Sequence, residues 1–277
     1  MKGFQFPQRR FFHASRITHH ASRITTMHRF YLPPENYRGL ASAGLRLDGR
    51  EAHHALHVLR VKRGERVTVL DGVGGKFLCE VESAAKDFLT LAVKETFSKP
   101  APACAITLLV AIPKGKIIEG IIQKAVELGA NRIVPLLTER VITQLDDDGA
   151  ESKREKWQQV AIEAIKQCGA TWLPRVAAPQ TISEFLARGE KIELALIGSL
   201  QTERRHPRAW ILEFQVQHGR LPASAAVWIG PEGDFTLAEL QAIEAAGAKP
   251  VTLGNLTLRV ETAAVYGLSL LNYELRG

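Results

Sequence analysis

Two glycine turns near the carboxyl end of the chain have the clearest capacity to bind a ligand. Gly230-Pro231-Glu232-Gly233 follows an apolar run at 225–229, and Gly254-Asn255 follows a second apolar segment at 251–253. Glycine lets the backbone approach a ligand closely, so both turns can offer peptide N–H and C=O groups between apolar flanks. Such a surface suits a flat heterocycle that carries a small polar group, and it suits a polyphosphate poorly. Taken alone, the GPEG motif is more typical of a structural turn.

The residues around these turns predict how they are positioned. The two apolar segments that precede them are predicted strands. Thr236 and Glu239 form a capping box, which predicts the start of a helix between the turns, and Gly247 is well placed to end it. A last helix is predicted after Thr262. Two strand-to-loop junctions separated by one helix lie at the same edge of a sheet, which is where open α/β folds bind ligands.

Several familiar sites are absent from the sequence, which contains no GxxxxGK[ST], HExxH or GxSxG motif and no GxGxxG after a strand. His53 and His57 have a spacing that can hold a metal ion, but no third ligand accompanies them, so we predict no metal site. The acidic run at 146–148 lacks the alternating ligands of a calcium loop and is predicted to be a solvated loop. Residues 204–206 (Arg-Arg-His) could grip a phosphate, but a solvated loop is favoured there too.

The composition fits a globular chain with one large or two moderate domains, since 45% of the 277 residues are hydrophobic. The cysteines, Cys79, Cys104 and Cys168, show no CxxC spacing. This pattern indicates a reduced intracellular protein without a disulfide framework or a zinc ribbon. No apolar run approaches the roughly 20 residues of a membrane span. The formal net charge of +7 is by itself weak evidence for nucleic-acid binding.

The positive charge is concentrated toward the amino end. Residues 1–26 carry 5 basic residues and no acidic ones, residues 27–99 carry 12 basic and 9 acidic residues, and residues 100–277 have a net charge of −1. If the body of the protein binds RNA, charge favours the amino-terminal part as the docking surface. The leader at 1–26, which repeats HASRIT, is expected to be a disordered tail ahead of a natural start at Met27 rather than a transit peptide.

Deleting residues 1–26 is therefore expected to leave activity intact, as an assay of the truncated chain beside the full chain would measure. A large loss of activity would instead assign the leader to the RNA surface.

The pattern of apolar residues changes at a linker, residues 99–102. Before it, alternating residues at 67–70 and 88–93 with glycine turns predict a small β-barrel, interrupted by a helix at 51–59. After it, strands and helices alternate, which predicts a largely parallel sheet covered by helices. The predicted elements of this second part are strands at 105–112, 132–137 and 194–200 and helices at 117–128, 152–167 and 182–186.

The segments IGPEGDF and LGNLTLRVETAA resemble the signature of the SPOUT class of S-adenosylmethionine-dependent RNA methyltransferases. Within that class the chain is most similar to the ribosomal RNA small subunit methyltransferase E family, which makes N3-methyluridine in 16S rRNA. The resemblance runs from Met27 to the end of the chain. It includes the blocks HRFY, HHALHVLRVKRGE, KAVELGANRIVPLLTERV and KREKWQQVAIEAIKQCG, in the family's order.

The resemblance implies an α/β fold of two domains. A PUA-like β-barrel that binds RNA would occupy residues 27–99, and a SPOUT-type methyltransferase domain with a carboxyl-terminal trefoil knot would occupy residues 100–277. It also implies a cytoplasmic homodimer whose partner is 16S rRNA or the small ribosomal subunit, with S-adenosylmethionine as cofactor. No metal and no membrane attachment are implied.

The resemblance further assigns site residues to three groups. The expected cofactor-binding residues lie in three loops: Leu196, Ile197, Gly198, Ile229, Gly230, Pro231, Glu232, Gly233, Leu253, Gly254, Asn255 and Leu258. The expected contacts to the substrate RNA are Arg29, Arg60, Arg140 and Gln167. Arg259 is expected to orient the uracil or stabilise charge on its carbonyls, and Glu261 to accept the N3 proton or hold Arg259. Alternatively, Arg259 pairs with Glu232, and Glu261 favours the amino end of the last helix.

The chain departs from the family pattern at three places. Asp234 stands where a third glycine is common and is expected to have no consequence. Leu256-Thr257 replaces an Arg-Ile-like pair, and Ala170 replaces an arginine, so substrate contacts near these positions are less certain. Two alternative functions stay open, a ribose 2′-O-methyltransferase of the same class and an RNA-binding module without catalysis.

Overall fold

Strands in which apolar and polar residues alternate, joined by tight turns, build the first of two sheets. The computed structural model describes residues 27–37, 44–140, 147–200 and 203–276. The strands of the first sheet are β1 (Arg29–Tyr31), β2 (Leu45–Leu47), β3 (Arg66–Leu70), β4 (Gly75–Ala84) and β5 (Leu89–Ser98). They are hydrogen-bonded in the order β1-β3-β4-β5-β2, and only β1 runs parallel to its neighbour. Within the described ranges β1 and β2 are not paired with each other. They are therefore the two edge strands of the sheet, and no strand pairing closes the predicted barrel.

The helix predicted at 51–59 begins earlier and changes type along its length. Helix α1 covers Gly49–His53, and a π-helical turn follows at His54–Val58. In that turn the Leu59 N–H donates to the His54 carbonyl oxygen at 3.0 Å, the longer reach that defines a π-turn. The rings of His53 and His57 are 4.8 Å apart, but no group of three or more potential metal ligands exists among the described residues.

The second sheet is parallel throughout. Its strands are β6 (Ala105–Ala111), β7 (Arg132–Leu137), β8 (Arg175–Val176), β9 (Gln180–Thr181), β10 (Leu194–Gly198), β11 (Ser224–Ile229) and β12 (Lys249–Val251). They lie in the order β12-β10-β11-β6-β7-β8, with β9 also paired to β7. The helices are α2 (Ile117–Glu127), α3 (Asp147–Cys168), α4 (Ile182–Ala187), α5 (Pro207–His218), α6 (Leu237–Ala245) and α7 (Val260–Arg276).

Several sequence-based boundaries are corrected here. Helix α3 begins at Asp147, not at 152, so the last two residues of the acidic run belong to a helix, and Asp146 lies outside the described residues. Strand β12 begins two residues before the predicted segment at 251–253 and ends at Val251. Helix α5 was not predicted. Arg205, assigned to a solvated loop, forms a parallel bridge with Val251, so that part of the loop runs along the sheet edge.

Both faces of the second sheet are covered, as buried parallel strands require. Neighbouring strand residues point to opposite faces, so that Leu108 and Leu109 of β6 belong to different cores. One core is shared with α2, α3, α5 and α7, and the other with α4 and α6. No helix in the described ranges is both long and apolar enough to cross a membrane.

The two sheets are tied together through the end of α3. The Arg29 guanidinium donates to the carbonyl oxygens of Lys166 and Gln167 at 3.1 and 2.8 Å. The Lys166 ammonium forms an ion pair with Glu51 at 2.9 Å, and its side chain is only 6% exposed. Glu51 also accepts a hydrogen bond from the Tyr31 N–H, so the first sheet, its helix and α3 are connected by one polar network.

We expect a single fast-reacting thiol in the folded protein. Burial raises the pKa of Cys79 to about 12 and that of Cys104 to about 11, and the thiolate is the reactive form. Cys168 is exposed at the end of α3. An aromatic disulfide reagent at pH 8 should label one thiol quickly, and labelling should stop in Cys168→Ser. Fast labelling of a second thiol in that variant would contradict this packing.

Candidate functional site

A pocket lies at the carboxyl ends of β10, β11 and β12, where three loops meet. Because the strands are parallel and adjacent, residues that follow them reach the same edge of the sheet. Eight residues predicted to bind the cofactor line this pocket: Gly198, Ile229, Gly230, Pro231, Glu232, Leu253, Gly254 and Leu258. The structure therefore brings the two glycine turns and the end of β10 into one wall.

Four other residues predicted for cofactor binding do not line the pocket. Leu196 and Ile197 are buried within β10, where their side chains belong to opposite cores. Gly233, the last residue of its turn, and Asn255, exposed beyond Gly254, are not among the lining residues. For Leu196 and Ile197 the strand alternation supplies the reason, since a residue in the middle of a buried strand faces a core rather than the strand's end.

Six lining residues lie outside the loops chosen from the sequence: Leu200, Arg204, Asp234, Val251, Val260 and Ala263. Val260 and Ala263 belong to α7, so the pocket floor includes the first turn of the last helix. Arg204 donates to the Ser199 carbonyl oxygen at 3.1 Å, which holds its side chain across the end of β10. The only sequence signal for Arg204 was its position as a basic residue shortly after a predicted strand. The sequence favoured a solvated loop there.

Asp234, expected to have no consequence, joins two of the loops. Its carboxylate accepts hydrogen bonds from the Leu200 N–H and the Phe235 N–H, both at 2.9 Å. The residue is only 9% exposed and adopts a left-handed backbone conformation with φ of 64°. Asparagine and aspartate tolerate this region better than other non-glycine residues, which accounts for Asp234 where a glycine is otherwise common.

Replacing Asp234 should separate the hydrogen-bonding role from the backbone role. Asp234→Gly is expected to lower the free energy of unfolding by about 1.5–3 kcal/mol, because charged hydrogen bonds are lost. Asp234→Ala should cost about 1–2 kcal/mol more, because alanine strains a left-handed backbone. Urea unfolding measures both values, and equal stability of the two variants would contradict the backbone argument.

Glycine is required where the loops pack most closely. A Cβ atom on Gly230 would stand 3.1 Å from Cδ2 of the fully buried Phe235, and one on Gly198 would stand 3.2 Å from Cδ1 of Leu253. Both distances are shorter than ordinary van der Waals contact. The absence of these side chains therefore lets the three loops close around the pocket.

The pocket has a mixed chemical character. Leucine side chains at 253, 256 and 258 supply apolar surface, while the turn at 230–233 supplies peptide groups. The charged groups at the wall are Arg204, Glu232 and Asp234. Such a site can hold a planar ring on apolar side chains and a small charged group at its polar end.

Arg259 and Glu261 lie at the edge of this pocket rather than in its wall. Both chain neighbours of Arg259, Leu258 and Val260, line the pocket, whereas Arg259 is exposed. No ion pair between Arg259 and Glu232 occurs in the described part of the chain, so that alternative is not realised here. Glu261 is partly buried in the first turn of α7, where a negative charge favours the helix.

Of the residues predicted to contact RNA, only Arg140 approaches the pocket. Its guanidinium donates to the Gly233 carbonyl oxygen and to that of Asp234, which fixes the glycine turn from outside. Arg29 binds the end of α3, as described above. Arg60 is exposed after the π-helical turn with φ of 54°, and the exposed Gln167 lies near the end of α3.

Comparisons with known proteins agree with this architecture. A family model described as "RNA methyltransferase domain" matches residues 99–272, and one described as "RNA methyltransferase PUA domain" matches residues 47–94. Ribosomal RNA small subunit methyltransferase E of Synechocystis is 33% identical, covering 91% of this chain and 79% of that protein. The protein of the same name from Bacillus subtilis is 30% identical, covering 82% of this chain and 89% of that protein.

Two solved structures share the fold over nearly their whole length. A putative methyltransferase from Legionella pneumophila, in complex with S-adenosylmethionine, superposes with a TM-score of 0.76 at 30% identity, covering 89% of this chain and 97% of that chain. Ribosomal RNA small subunit methyltransferase E from Neisseria gonorrhoeae, bound to S-adenosylmethionine, has a TM-score of 0.73 at 29% identity and covers 88% and 96%. With its α/β methyltransferase fold and PUA domain, this chain belongs to the ribosomal RNA small subunit methyltransferase E family.

Proposed function

We propose that the protein is an S-adenosylmethionine-dependent methyltransferase that methylates N3 of a specific uridine in 16S rRNA. The observation that carries this proposal is the pocket formed by the ends of β10, β11 and β12, in a chain whose structural neighbours hold S-adenosylmethionine. The pocket residues fit this cofactor. The leucines at 253, 256 and 258 would pack against the adenine, and Arg204 or Glu232 would pair with its charged amino-acid end.

The cofactor supplies an electrophilic methyl group on a sulfonium, so the protein's task is chiefly alignment. Uridine N3 carries a proton and is hidden in ordinary base pairs, so the target base must be unpaired or flipped out. Arg259, exposed at the pocket edge, would orient the uracil and stabilise negative charge on its carbonyl oxygens. Glu261, two residues further on, would accept the N3 proton or hold Arg259.

The same proposal includes two domains, at residues 27–99 and 100–277, and a trefoil knot in the second. Two contacts support the knot: Arg205 forms a bridge with Val251 of β12, and the Leu200 N–H donates to the carboxylate of Asp234 in the loop after β11. We also propose a cytoplasmic homodimer. Large apolar residues stand exposed on the neighbouring helices α5 and α7, among them Val216, Tyr266 and Tyr273, and pairing would cover them.

Nucleoside mass spectrometry of rRNA treated with the protein and S-adenosylmethionine tests the proposed activity. The expected product is N3-methyluridine in 16S rRNA. A methyl group on a ribose would favour the 2′-O-methyltransferase instead. Calorimetry with S-adenosylmethionine separates these two methyltransferase activities from a non-catalytic RNA-binding module. A folded protein that does not bind S-adenosylmethionine would fit only the RNA-binding module.

A further inference from the structure

A second cleft adjoins the pocket described above. It lies between the loop that precedes α2, the first half of α3 and the glycine turn at 230–233, and Glu232 is part of both cavities. We call it the lysine cleft after four of its residues, Lys114, Lys116, Lys153 and Lys156. Its volume of about 410 Å³ is within the range of small-molecule sites and large enough for a nucleotide unit.

The charge of the lysine cleft contrasts with that of its domain. The four lysines and Arg140 face only two carboxylates, Glu119 and Glu232, which leaves a net charge of +3. Residues 100–277 as a whole have a net charge of −1. A solvated surface would carry both signs mixed, so this concentration of one sign at one cleft indicates an anionic ligand.

Most of this charge is not neutralised within the protein. Lys156 forms an ion pair with Glu119 at 2.6 Å. Lys114, Lys116 and Lys153 form no ion pair in the described ranges, and the first two are exposed. Three ammonium groups are therefore available to a ligand in the described structure.

The base of the lysine cleft strengthens the attraction. Trp157, Ile112 and Ile118 form an apolar floor and are each 5% exposed or less. An apolar wall beside cations reduces the screening of their field by water. The amino end of the 11-residue helix α2 also opens at this cleft, and its partial positive charge adds to that of the lysines.

We infer that the lysine cleft binds the phosphodiester backbone of the RNA beside the nucleotide that receives the methyl group. Lys114, Lys116 and Lys153 contact phosphates, and Arg140 positions the turn that separates this backbone from the methyl donor. The inference rests on the proposed function for the identity of the target nucleotide. It adds a second RNA contact to the docking surface that the charge distribution along the chain favoured in the amino-terminal part.

The test compares rRNA binding as a function of salt concentration. Unmethylated 16S rRNA is bound to the full chain at several KCl concentrations, and the slope of log affinity against log salt is measured. Each lost phosphate contact reduces the magnitude of this slope by about 0.7 for single-stranded RNA. In the double variant Lys114→Ala/Lys116→Ala the magnitude should therefore fall by about 1.4. Adding Lys153→Ala should lower it by about 0.7 more.

A matched control removes two exposed cations elsewhere in the same domain. The variant Arg188→Ala/Lys191→Ala should keep the wild-type slope. These two residues precede β10 and so lie at the amino ends of the strands, whereas the lysine cleft lies at their carboxyl ends. Inorganic phosphate that replaces KCl at equal ionic strength should displace no more RNA than KCl does, since one anion lacks the several contacts of a backbone. The inference would be overturned by a wild-type slope in the Lys114/Lys116 variant, by stronger displacement with phosphate than with KCl at equal ionic strength, or by no rRNA binding to the wild-type chain.

The proposed function is tested separately in the same samples. Calorimetry with S-adenosylmethionine should give equal affinities for wild type and lysine variants, because those residues do not line the donor pocket. If the wild-type chain binds rRNA with the lysine-dependent slope but transfers no methyl group, the proposed activity fails and the backbone site stands.

Discussion

Replacing Arg259 with alanine is expected to reduce the turnover number for methyl transfer by about 100- to 1,000-fold, the effect of removing one donor that stabilises a developing oxyanion. Arg259 is exposed between two residues that line the pocket, and it has no ion-pair partner in the described part of the chain. Its guanidinium is therefore available to the base of the proposed substrate at the edge of the pocket. Steady-state methylation of 16S rRNA with labelled cofactor measures the change.

The control for Arg259 must separate a role in the reaction from a role in folding. The affinity for S-adenosylmethionine should stay unchanged in Arg259→Ala, since the side chain does not line the pocket. Arg259→Lys should recover part of the turnover, because a positive charge remains, but not the planar geometry. Arg188→Ala, which removes another exposed arginine after α4, should keep full activity. Wild-type turnover in Arg259→Ala would remove this residue from the mechanism.

The second large effect is expected at Gly230. A valine there would place its Cβ atom 3.1 Å from the Phe235 ring, with two further methyl groups beyond it. Phe235 is fully buried and packs with Leu240 and Ile243 of α6, so the turn at 230–233 must move instead. Overpacking of this kind costs about 1–3 kcal/mol, which corresponds to an affinity for S-adenosylmethionine weaker by about 5- to 150-fold.

Calorimetry of Gly230→Val and a control glycine variant measures that loss. Gly120→Ala is the matched control, because Gly120 lies in α2 with open space at its Cβ position and no positive φ. It should keep the wild-type affinity and gain about 0.5–1 kcal/mol of stability, as alanine favours helix over glycine. Unchanged affinity in Gly230→Val would mean that the glycine turn does not shape the donor site.

Local signals in the sequence predicted much of the parallel sheet and its helices. The capping box of Thr236 and Glu239 is present at the start of α6, with both reciprocal hydrogen bonds, and Gly247 follows its end with φ of 99°. Strand β7 has the predicted limits, 132–137. These elements depend on apolar periodicity and on contacts within a few residues, which are visible in a single sequence.

What the sequence did not predict depends on contacts between distant segments. Asp234 matters because Leu200, 34 positions away, donates to its carboxylate. Arg204 reaches the pocket because β10 and β12 are neighbours in the sheet, an order that no local pattern specifies. Arg29, predicted to contact RNA, binds carbonyl oxygens at the end of α3, and that pairing requires the two sheets to be packed together.

The lysine cleft also depends on contacts between distant segments and was not predicted from the sequence. Its lysines come from two segments, the loop ahead of α2 and the first half of α3, and each segment alone is an ordinary solvated stretch. Only the packing of α2 against α3 gathers them beside Glu232. Charge counted along the chain favoured the amino-terminal part, whereas the folded structure adds a basic cleft next to the pocket at the ends of β10, β11 and β12.

The decisive measurement is a crystal structure of the protein grown with S-adenosylmethionine. The cofactor is expected between residues 198–200, 230–234 and 253–258, with its methyl group directed toward the side of the pocket where Arg259 lies. Cofactor bound at any other place on the chain, or a methyl group directed away from Arg259, would contradict that expectation.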